Sequence, residues 1–575
     1  MNNLINEVLI VGAGPTGLIL ANELLRRKIP VRLIEKRNGP SHTTRAMTIH
    51  ARSMEMFEHM GLAHRLEEVC LKCPGNIYHF PHLTDDDCPR TDYRVLPTRF
   101  AFYYKINQND FEQVLREHLF SQYSLKPEYQ TELTAVNQHE NAVTVNITLP
   151  NGAVQEKTYP WVVGCDGVRS FVREAAGIKF SGEEVAVMAM MDVELENVNF
   201  DDRWMNYYFN ETLFMNCTKL PGKYWRIYMS DATGEYVQAE NQQQAFQYVA
   251  DQLNIGFKVG KPEWVTAWSV RNGVADRYRE GRLLICGDAS HVHSPSGGQG
   301  MNGCMQDAFN LGWKLASVYK NISKESILNS YEKERKPIGE QISEGAMATH
   351  EIVMGFGIKP EDRLHYTQKP NWEAHTIRLV SGLSHNYCAA SELPKGLSKL
   401  EGPQAGERAP DALLMVEPQK RLYDVLRHPL FTLLYVPGQN TNQNIALASQ
   451  LRDTVDNLFP NMVVNCLISQ TSSNTVPFDD DRAMKVTQNT QQINSQASFD
   501  FDHHVSNETT EIFERYAIGN EGRFILIRPD LYIAMTCLPE EGNKMLEYLE
   551  QWFTITHTDT QSLSESSSSN HYASA

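Results

Sequence analysis

The sequence predicts an α/β protein of two or three domains, and three observations carry that prediction. A short apolar run at 8–11 meets glycines at 12, 14 and 17 and then a helical pattern through Leu18, Leu20, Ala21, Leu24 and Leu25. Apolar, strand-like runs recur far along the chain, at 161–165 and 283–285, each followed closely by an aspartate. At 575 residues the chain exceeds what one hydrophobic core organises.

The first of these units is the most informative. Gly12 suits a tight turn, Gly14 lets a pyrophosphate approach the backbone, and Gly17 lets the helix pack closely on the sheet, with Ala13, Pro15 and Thr16 between them. A second apolar run, 31–34, ends at Glu35 and Lys36. A carboxylate there can accept hydrogen bonds from ribose hydroxyls, so strand, glycine turn, helix, strand and acid together predict dinucleotide binding. NAD and FAD share the ADP half and stay undivided at this point. The distant echoes divide them. Asp166-Gly167 closes one strand ahead of Arg169, Ser170 and a helix, and Asp288 closes another. Three returns to one ligand suggest a cofactor longer than NAD needs, which favours FAD.

The third return, 281–314, passes through Gly297, Gly298 and Gly300 before a helix that starts near Asn302. Small residues let the backbone approach a flat ring. The unpaired N–H groups at the helix start suit negative charge, of the kind carried by the N1–C2=O edge of a reduced flavin.

A formal net charge of -17, with no basic stripe to offset it, excludes a nucleic-acid partner. The apolar runs fall far short of the ~20 residues of a membrane helix. Ten cysteines without disulfide-type spacing fit a reducing compartment, so a cytoplasmic address is expected. Cys70 and Cys73 form one CxxC, but no second ligand pair accompanies them. They are read as ordinary thiols, and no metal is expected.

GAGPTG at 12–17, GCDGVRS at 164–170 and CGDASHVHSPSGGQGMN at 286–302 resemble the three flavin motifs of the group A flavoprotein aromatic hydroxylases, the family of para-hydroxybenzoate hydroxylase and phenol hydroxylase. The likeness continues through Asp307, Asn310, Leu311, Trp313, Lys314 and SYEKERKP at 330–337. It implies FAD held without a covalent bond, NADPH or NADH as a transient reductant, and O2 activated as a C4a-hydroperoxide that places one oxygen atom on a phenolic or polycyclic aromatic substrate. It also implies that Gly12, Gly14 and Gly17 cradle the pyrophosphate and that Glu35 holds the adenosine ribose. Arg45 would lie near the pyrophosphate and the nicotinamide approach, and Gln108 on the phosphoribityl side. Asp166 would organise the middle turn, and Asp288, expected to be buried, would bond a ribityl hydroxyl. Pro295 would bring its carbonyl near flavin N5. Gly298, Gly300, Met301 and Asn302 would supply backbone contacts to the pyrimidine edge. Arg45, Pro295 and Gly298 are thus the candidate catalytic positions, while His291 reads as a structural histidine.

The expected domains are a Rossmann-like FAD-binding domain at 1–180 and 281–355, an inserted antiparallel sheet at 181–280 read from its short alternating runs and given a substrate-binding role by the resemblance, a linker at 356–405 read from its prolines and weak periodicity, a thioredoxin-like α/β domain at 406–557 implied by the resemblance, and a Ser-rich disordered tail at 558–575. Tyr207, Phe209 and Trp225 are candidates for the substrate pocket. Met47 stands where phenol hydroxylase carries an acidic residue, and no other base is evident, which leans towards large polyphenols that ionise readily. The terminal domain has only Cys466 and Cys537, which suggests stabilisation or homodimer formation in place of disulfide exchange. A Baeyer–Villiger or oxidase-type enzyme on the same fold, or a catalytically idle flavin-bound scaffold, remains open at this stage.

Overall fold

The computed structural model describes residues 5–41, 46–439, 441–470 and 501–555. Arg45 and the tail 558–575 lie outside the described residues. The chain forms two compact units, one of Met1–Lys320 with Glu325–Ala390, the other of Asn321–Lys324 with Ser391–Ala575.

The first unit holds a six-stranded sheet in the order Arg279–Glu280, Leu283–Ile285, Trp161–Gly164, Val8–Val11, Val31–Glu35, Glu128–Tyr129. All neighbours run parallel except the first pair. Parallel strands are covered on both faces, which is why these runs are apolar throughout and fully buried. Register then does the positioning. Val11 lies beside Gly164, and Gly164 beside Ile285, so the three motif turns leave the sheet side by side at its carboxyl edge. The helices Pro15–Leu25 and Gly300–Tyr319 pack face to face, closely enough that a Cβ on Gly312 would stand 2.4 Å from Glu23 Cβ.

The antiparallel sheet expected at 181–280 draws on a wider range of the chain. It has eight strands, in the order His291–Val292, Lys258–Ala275, Phe180–Glu196, Trp225–Asp231, Leu213–Lys219, Met205–Phe209, Gly75–His79, Arg90–Asp92. The last two belong to a stretch assigned from sequence to the FAD-binding domain. Gly75–His79 joins by parallel pairing with Met205–Phe209, a partnership across more than a hundred residues that no local pattern announces. One face carries the helix Gln242–Gln252 over an aliphatic core including Met191, Ile227, Met229 and Phe246. The other bears an aromatic core.

The expected linker at 356–405 is also corrected. Pro360–Leu364 and Trp372–Val380 are helices, and Trp372, Ile377 and Val380 pack into the aromatic core. Short helices punctuated by prolines give too few turns for a helical period to be read from sequence.

In the second unit a five-stranded sheet has the order His503–Asn507, Val463–Gln470, Phe431–Val436, Arg523–Ile527, Ile533–Cys537. Its first three strands are parallel and its last two pairings antiparallel. Helices Thr441–Leu458, Glu511–Arg515 and Gly542–Trp552 connect or follow the strands.

Candidate functional site

At the first turn, Gly12 has φ of +104°, and a Cβ there would meet the Cys165 carbonyl oxygen at 2.3 Å. A Cβ on Gly17 would lie 1.9 Å from the Gly12 oxygen, so that glycine is required by the helix's approach to the turn. Gly14 differs: it precedes the helix at its N-cap, and a Cβ there would meet nothing within 4 Å. The chain itself does not demand this glycine, which leaves room for a ligand to come against the backbone. Pro15 opens the helix, Thr16 is buried against Gly287, and Lys36 is exposed at the strand end.

Glu35 is buried and already bonded. Its Oε2 accepts the Ala13 N–H at 3.0 Å, and Arg37 binds the carboxylate through its backbone N–H at 3.0 Å, Nε at 3.0 Å and a terminal nitrogen at 3.1 Å. Burial pushes this carboxyl up, but the Arg37 and Ala13 hydrogen bonds outweigh it and hold it below the usual range. The carboxylate thus stays ionised and pointed at the turn.

The middle turn is closed on itself. Asp166 accepts the Ser170 hydroxyl at 2.5 Å and the N–H groups of Phe171 and Val172 at 2.8 and 3.2 Å, capping the following helix. Arg173 from that helix donates to the carbonyls of Val168 and Ala289, tying the middle turn to the third loop.

In the third loop, Asp288 is exposed, contrary to the burial expected of it; the Cys304 thiol donates to it at 3.1 Å. Its place just past the end of the strand turns it outward. The buried carboxylate here is Asp307, which bonds His291 Nε2 at 2.7 Å and Arg335 Nε at 2.6 Å and accepts the Gly287 N–H at 3.3 Å. That network gives His291 a structural position.

Pro295 begins a tight turn capped by Ser294, and Gly298 follows with φ of +63°. The Gly298 carbonyl accepts His50 Nε2 at 2.9 Å, Asn302 Nδ2 at 3.0 Å and the Thr48 hydroxyl at 3.4 Å. Asn302 also accepts the His50 N–H at 2.9 Å and the Ser53 hydroxyl at 2.8 Å, and donates to the Thr48 carbonyl at 3.0 Å. The loop is therefore anchored to residues 48–53. Gly300 and Met301 start a twenty-residue helix whose N-cap makes no side-chain hydrogen bond, so its first N–H groups have no capping side chain. Gln108 accepts the Ala46 N–H at 3.5 Å and donates to Glu112 at 2.8 Å.

Among the described residues, several buried polar atoms around this loop have no hydrogen-bond partner: His50 Nδ1, His293 Nε2 and Gln299 Oε1. Burial holds His50 and His293 neutral, each down at about 4. Unpaired acceptors suit a ligand that carries N–H or O–H donors, and the open glycine turn and uncapped helix start suit its negatively charged groups.

The aromatic side corrects one assignment. Tyr207 and Phe209 lie in the aromatic core with Tyr78, Tyr93, Tyr103 and Tyr228. Trp225 does not: it pairs across the ladder with Val193 and packs edge-on against Phe200, on the aliphatic face. Alternation puts Tyr228, three residues on, beside Tyr207 instead. Tyr78 stacks on Tyr207 at 5.2 Å, while the Tyr103 hydroxyl donates to Tyr93 at 2.5 Å and the Asn76 amide to Tyr103 at 3.4 Å. Met47 is buried in this core, where an acid would lack solvation. Arg226, fully buried, pairs with Asp192 at 2.8 Å and donates to the Ala46 carbonyl at 3.0 Å.

Sequence reasoning missed Arg37, His50, Asn76, Arg226 and the tyrosines at 78, 93 and 103. Arg37, two residues past Glu35, had a readable signal as a charge partner. The others are brought in by pairing between distant strands. Burial pushes the Cys70 thiol up to about 12, and the buried Cys73 thiol donates to the Gly75 carbonyl at 3.3 Å, so neither is a ready nucleophile.

Comparison with known proteins matches residues 6–346 to the FAD binding domain family. Pentachlorophenol 4-monooxygenase of Sphingobium chlorophenolicum is 42% identical over 456 residues, 79% of this chain and 84% of that one. The 6-methylpretetramide 4-monooxygenase of Streptomyces rimosus is 35% identical over 62% of this chain and 63% of its own. Among solved structures, the OxyS anhydrotetracycline hydroxylase of Streptomyces rimosus superposes with a TM-score of 0.71 at 25% identity, covering 95% of this chain and 99% of that one.

Proposed function

Because the chain belongs to the FAD-binding domain family, as a group A flavoprotein aromatic hydroxylase, we propose that it hydroxylates a phenolic ring using FAD as resident cofactor, NADPH or NADH as transient reductant and O2 as co-substrate. It is an FAD-dependent aromatic monooxygenase; the reductant and the route of oxygen transfer are the proposal. One observation carries the reading: three parallel strands in register deliver the glycine turn, the Asp166 turn and the 297–300 loop to one edge of the sheet, beside an aromatic core.

Bound FAD supplies hydride acceptance and oxygen activation; the chain's own groups bind, orient and exclude water. Gly12, Ala13, Gly14 and the start of the first helix take the pyrophosphate, with Glu35, fixed by Arg37, on the adenosine ribose. Asp288, which is exposed, would hold the ribityl chain with Gln108. The loop from Pro295 through Gly298 to Asn302 would hold the isoalloxazine, and the uncapped helix start would favour negative charge there. Arg45 is assigned to the nicotinamide approach on the family resemblance alone. Tyr207, Phe209 and Tyr228 line the ring-binding side, where buried Met47 offers no carboxylate to the substrate. The named relatives act on a chlorinated phenol and on a polycyclic pretetramide, so both substrate sizes belong in the test.

The second unit fits a thioredoxin-like domain: with the edge strand His503–Asn507 set aside, its other four strands follow the order second, first, third, fourth, and the last two pairings are antiparallel. Its cysteines are buried, and burial pushes the Cys466 thiol up to about 12, which disfavours disulfide exchange.

The test is NADPH and NADH oxidation by FAD-loaded protein across chlorophenols and polycyclic phenols, followed with product mass and peroxide. A substrate that accelerates flavin reduction and gains one oxygen atom on the ring supports hydroxylation. Oxygen inserted into the ring skeleton would make it a Baeyer–Villiger enzyme, peroxide alone with every substrate an oxidase, and no oxidation at all a scaffold.

A further inference from the structure

The eight-stranded sheet ends in an edge that is covered at both ends and open between them. Lys258–Ala275 is an eighteen-residue strand whose inner edge pairs with Phe180–Glu196 along nearly its whole length. On its outer edge, His291–Val292 pairs only with Val274 and Gly273. At the far end the Gln243 amide donates to the carbonyls of Val259 and Gly260 at 3.1 and 2.7 Å, and Gln247 accepts the Val259 N–H at 2.7 Å. Between these two closures no further strand lies alongside it among the described residues. An open edge presents a template for another strand, and proteins leave one this long only where something covers it or charge and proline blunt it.

We propose that residues 262–272 pair antiparallel with the same residues of a second copy of this chain, about a two-fold axis perpendicular to the sheet at Ala267, so that the two sheets run on as one. The partner follows from self-complementarity. Such an axis keeps every side chain on its own face, so paired residue numbers share parity. The open window from 262 to 272 is centred on 267. In that register Glu263 of each copy stands opposite Arg271 of the other, twice over, and Val265 stands opposite Ser269. All of these, with Ala267, are exposed; Val265 to Arg271 alternate regularly, while Glu263 sits in a bulge, where the register with the inner strand shifts between Trp264 and Pro262. On the opposite face Trp264 meets Val270 and Trp268 meets Thr266, tryptophans that are only partly buried in the single chain. Directly opposed ion pairs and aromatic contacts are what stabilise an antiparallel pairing.

Neighbouring registers fail. Centring on 266 sets Lys261 against Arg271, like charges face to face. Centring on 268 sets Glu263 against Gly273, whose edge is already taken by Val292. Pro262, with no N–H to give, ends the pairing at the right residue. Within one chain Glu263 accepts the Tyr224 hydroxyl at 2.8 Å through Oε2, and Arg271 lies across the ladder from Glu184, so in the paired form each Arg271 would stand between Glu184 of its own chain and Glu263 of the other.

The test is analytical ultracentrifugation of the full-length, FAD-loaded protein, with flavin absorbance and melting temperature as checks on folding. The unmodified chain should be a dimer. Glu263→Arg and Arg271→Glu should each weaken it at least tenfold, and the double variant, which restores opposite charges, should bring it back. As a measurement that does not depend on these variants folding, Ala267→Cys places two thiols against each other at the axis and should give a disulfide-linked dimer on mild oxidation, beyond any cross-linking of the unmodified chain through exposed Cys388. A monomer at every concentration, single variants that dimerise normally, no recovery in the double variant, or no cross-link at 267 would each overturn the proposal.

Discussion

The two halves of the candidate site are assembled in opposite ways. The nucleotide half is built from a contiguous stretch, residues 8–35, in which backbone groups and glycines set the geometry. The aromatic half gathers side chains from Tyr78, Tyr103, Tyr207, Tyr228 and Trp372, which meet only once the eight-stranded sheet has formed. A backbone-built site tolerates little change in chain geometry, including any side chain added at its glycines, but accepts changes at side chains that do not set that geometry. A side-chain-built site is the reverse, which lets one fold keep its cofactor while its substrate varies.

The sharpest way to break that comparison is inside the glycine turn. Gly17→Ala should lower the stability of the ligand-free protein by several kcal/mol, on the order of the cost of overpacking against backbone, because its Cβ would stand 1.9 Å from a carbonyl oxygen. Gly14→Ala should leave the ligand-free melting temperature unchanged, its Cβ meeting nothing in the chain, yet weaken FAD binding by about tenfold or more. Equal melting temperatures for the two variants would show that packing does not separate these glycines.

Buried His50 and partly buried His293 give the next largest effect. His50 and His293 sit at about 4 against an ordinary 6.5, so below pH 6.5 the unfolded chain binds more protons than the folded one. Their contribution is full above 6.5 and is lost as pH falls towards 4, up to about 3 kcal/mol for each. Melting temperature should drop across that window, and His50→Gln, whose amide can still donate to Gly298, should flatten the drop. Glu35, held low, adds stability above its unfolded value that disappears at more acid pH as its lowered folded value is crossed.

Asp288→Ala should weaken FAD by about 1–3 kcal/mol while leaving the ligand-free fold intact, since the side chain is exposed; a variant that purifies with a full complement of flavin would remove Asp288 from the ribityl assignment. The smallest effect sharpens the aromatic half. Tyr207→Phe should raise KM several-fold for a phenolic substrate, whereas Trp225→Phe, on the far face of the sheet, should change stability by about 1 kcal/mol and kinetics hardly at all. A larger kinetic effect at Trp225 would return it to the pocket.

What the sequence made legible follows the same division. The nucleotide turn was readable because strand, glycines, helix and acid are neighbours in the chain, and the parallel strands because burial on both faces leaves them apolar throughout. That same double burial misled at Trp225. Every residue of Trp225–Asp231 is buried, so alternation carries no phase, and Trp225 and Tyr228 look like equal candidates. Asp288 was expected inside because it follows a buried strand, but the turn at Gly287 swings it out, and the carboxylate that is buried, Asp307, lies on the next helix. His50 and Arg226 act over 248 and 180 residues of separation, on Gly298 and Ala46, which no spacing rule reaches.

The three donors on the Gly298 carbonyl have a consequence for how the loop meets charge. A trans peptide points its C=O and the following N–H in opposite directions, so fastening the carbonyl towards Thr48, His50 and Asn302 turns the Gln299 N–H the other way. The dipole of that peptide is set during folding. It has no need to swing when an electron pair arrives beside it, so the loop responds to a redox change as a stiff dielectric, with little reorganisation energy. Loosening it through Thr48 or His50 would show as a steeper temperature dependence of flavin reduction, even where the static structure is unchanged.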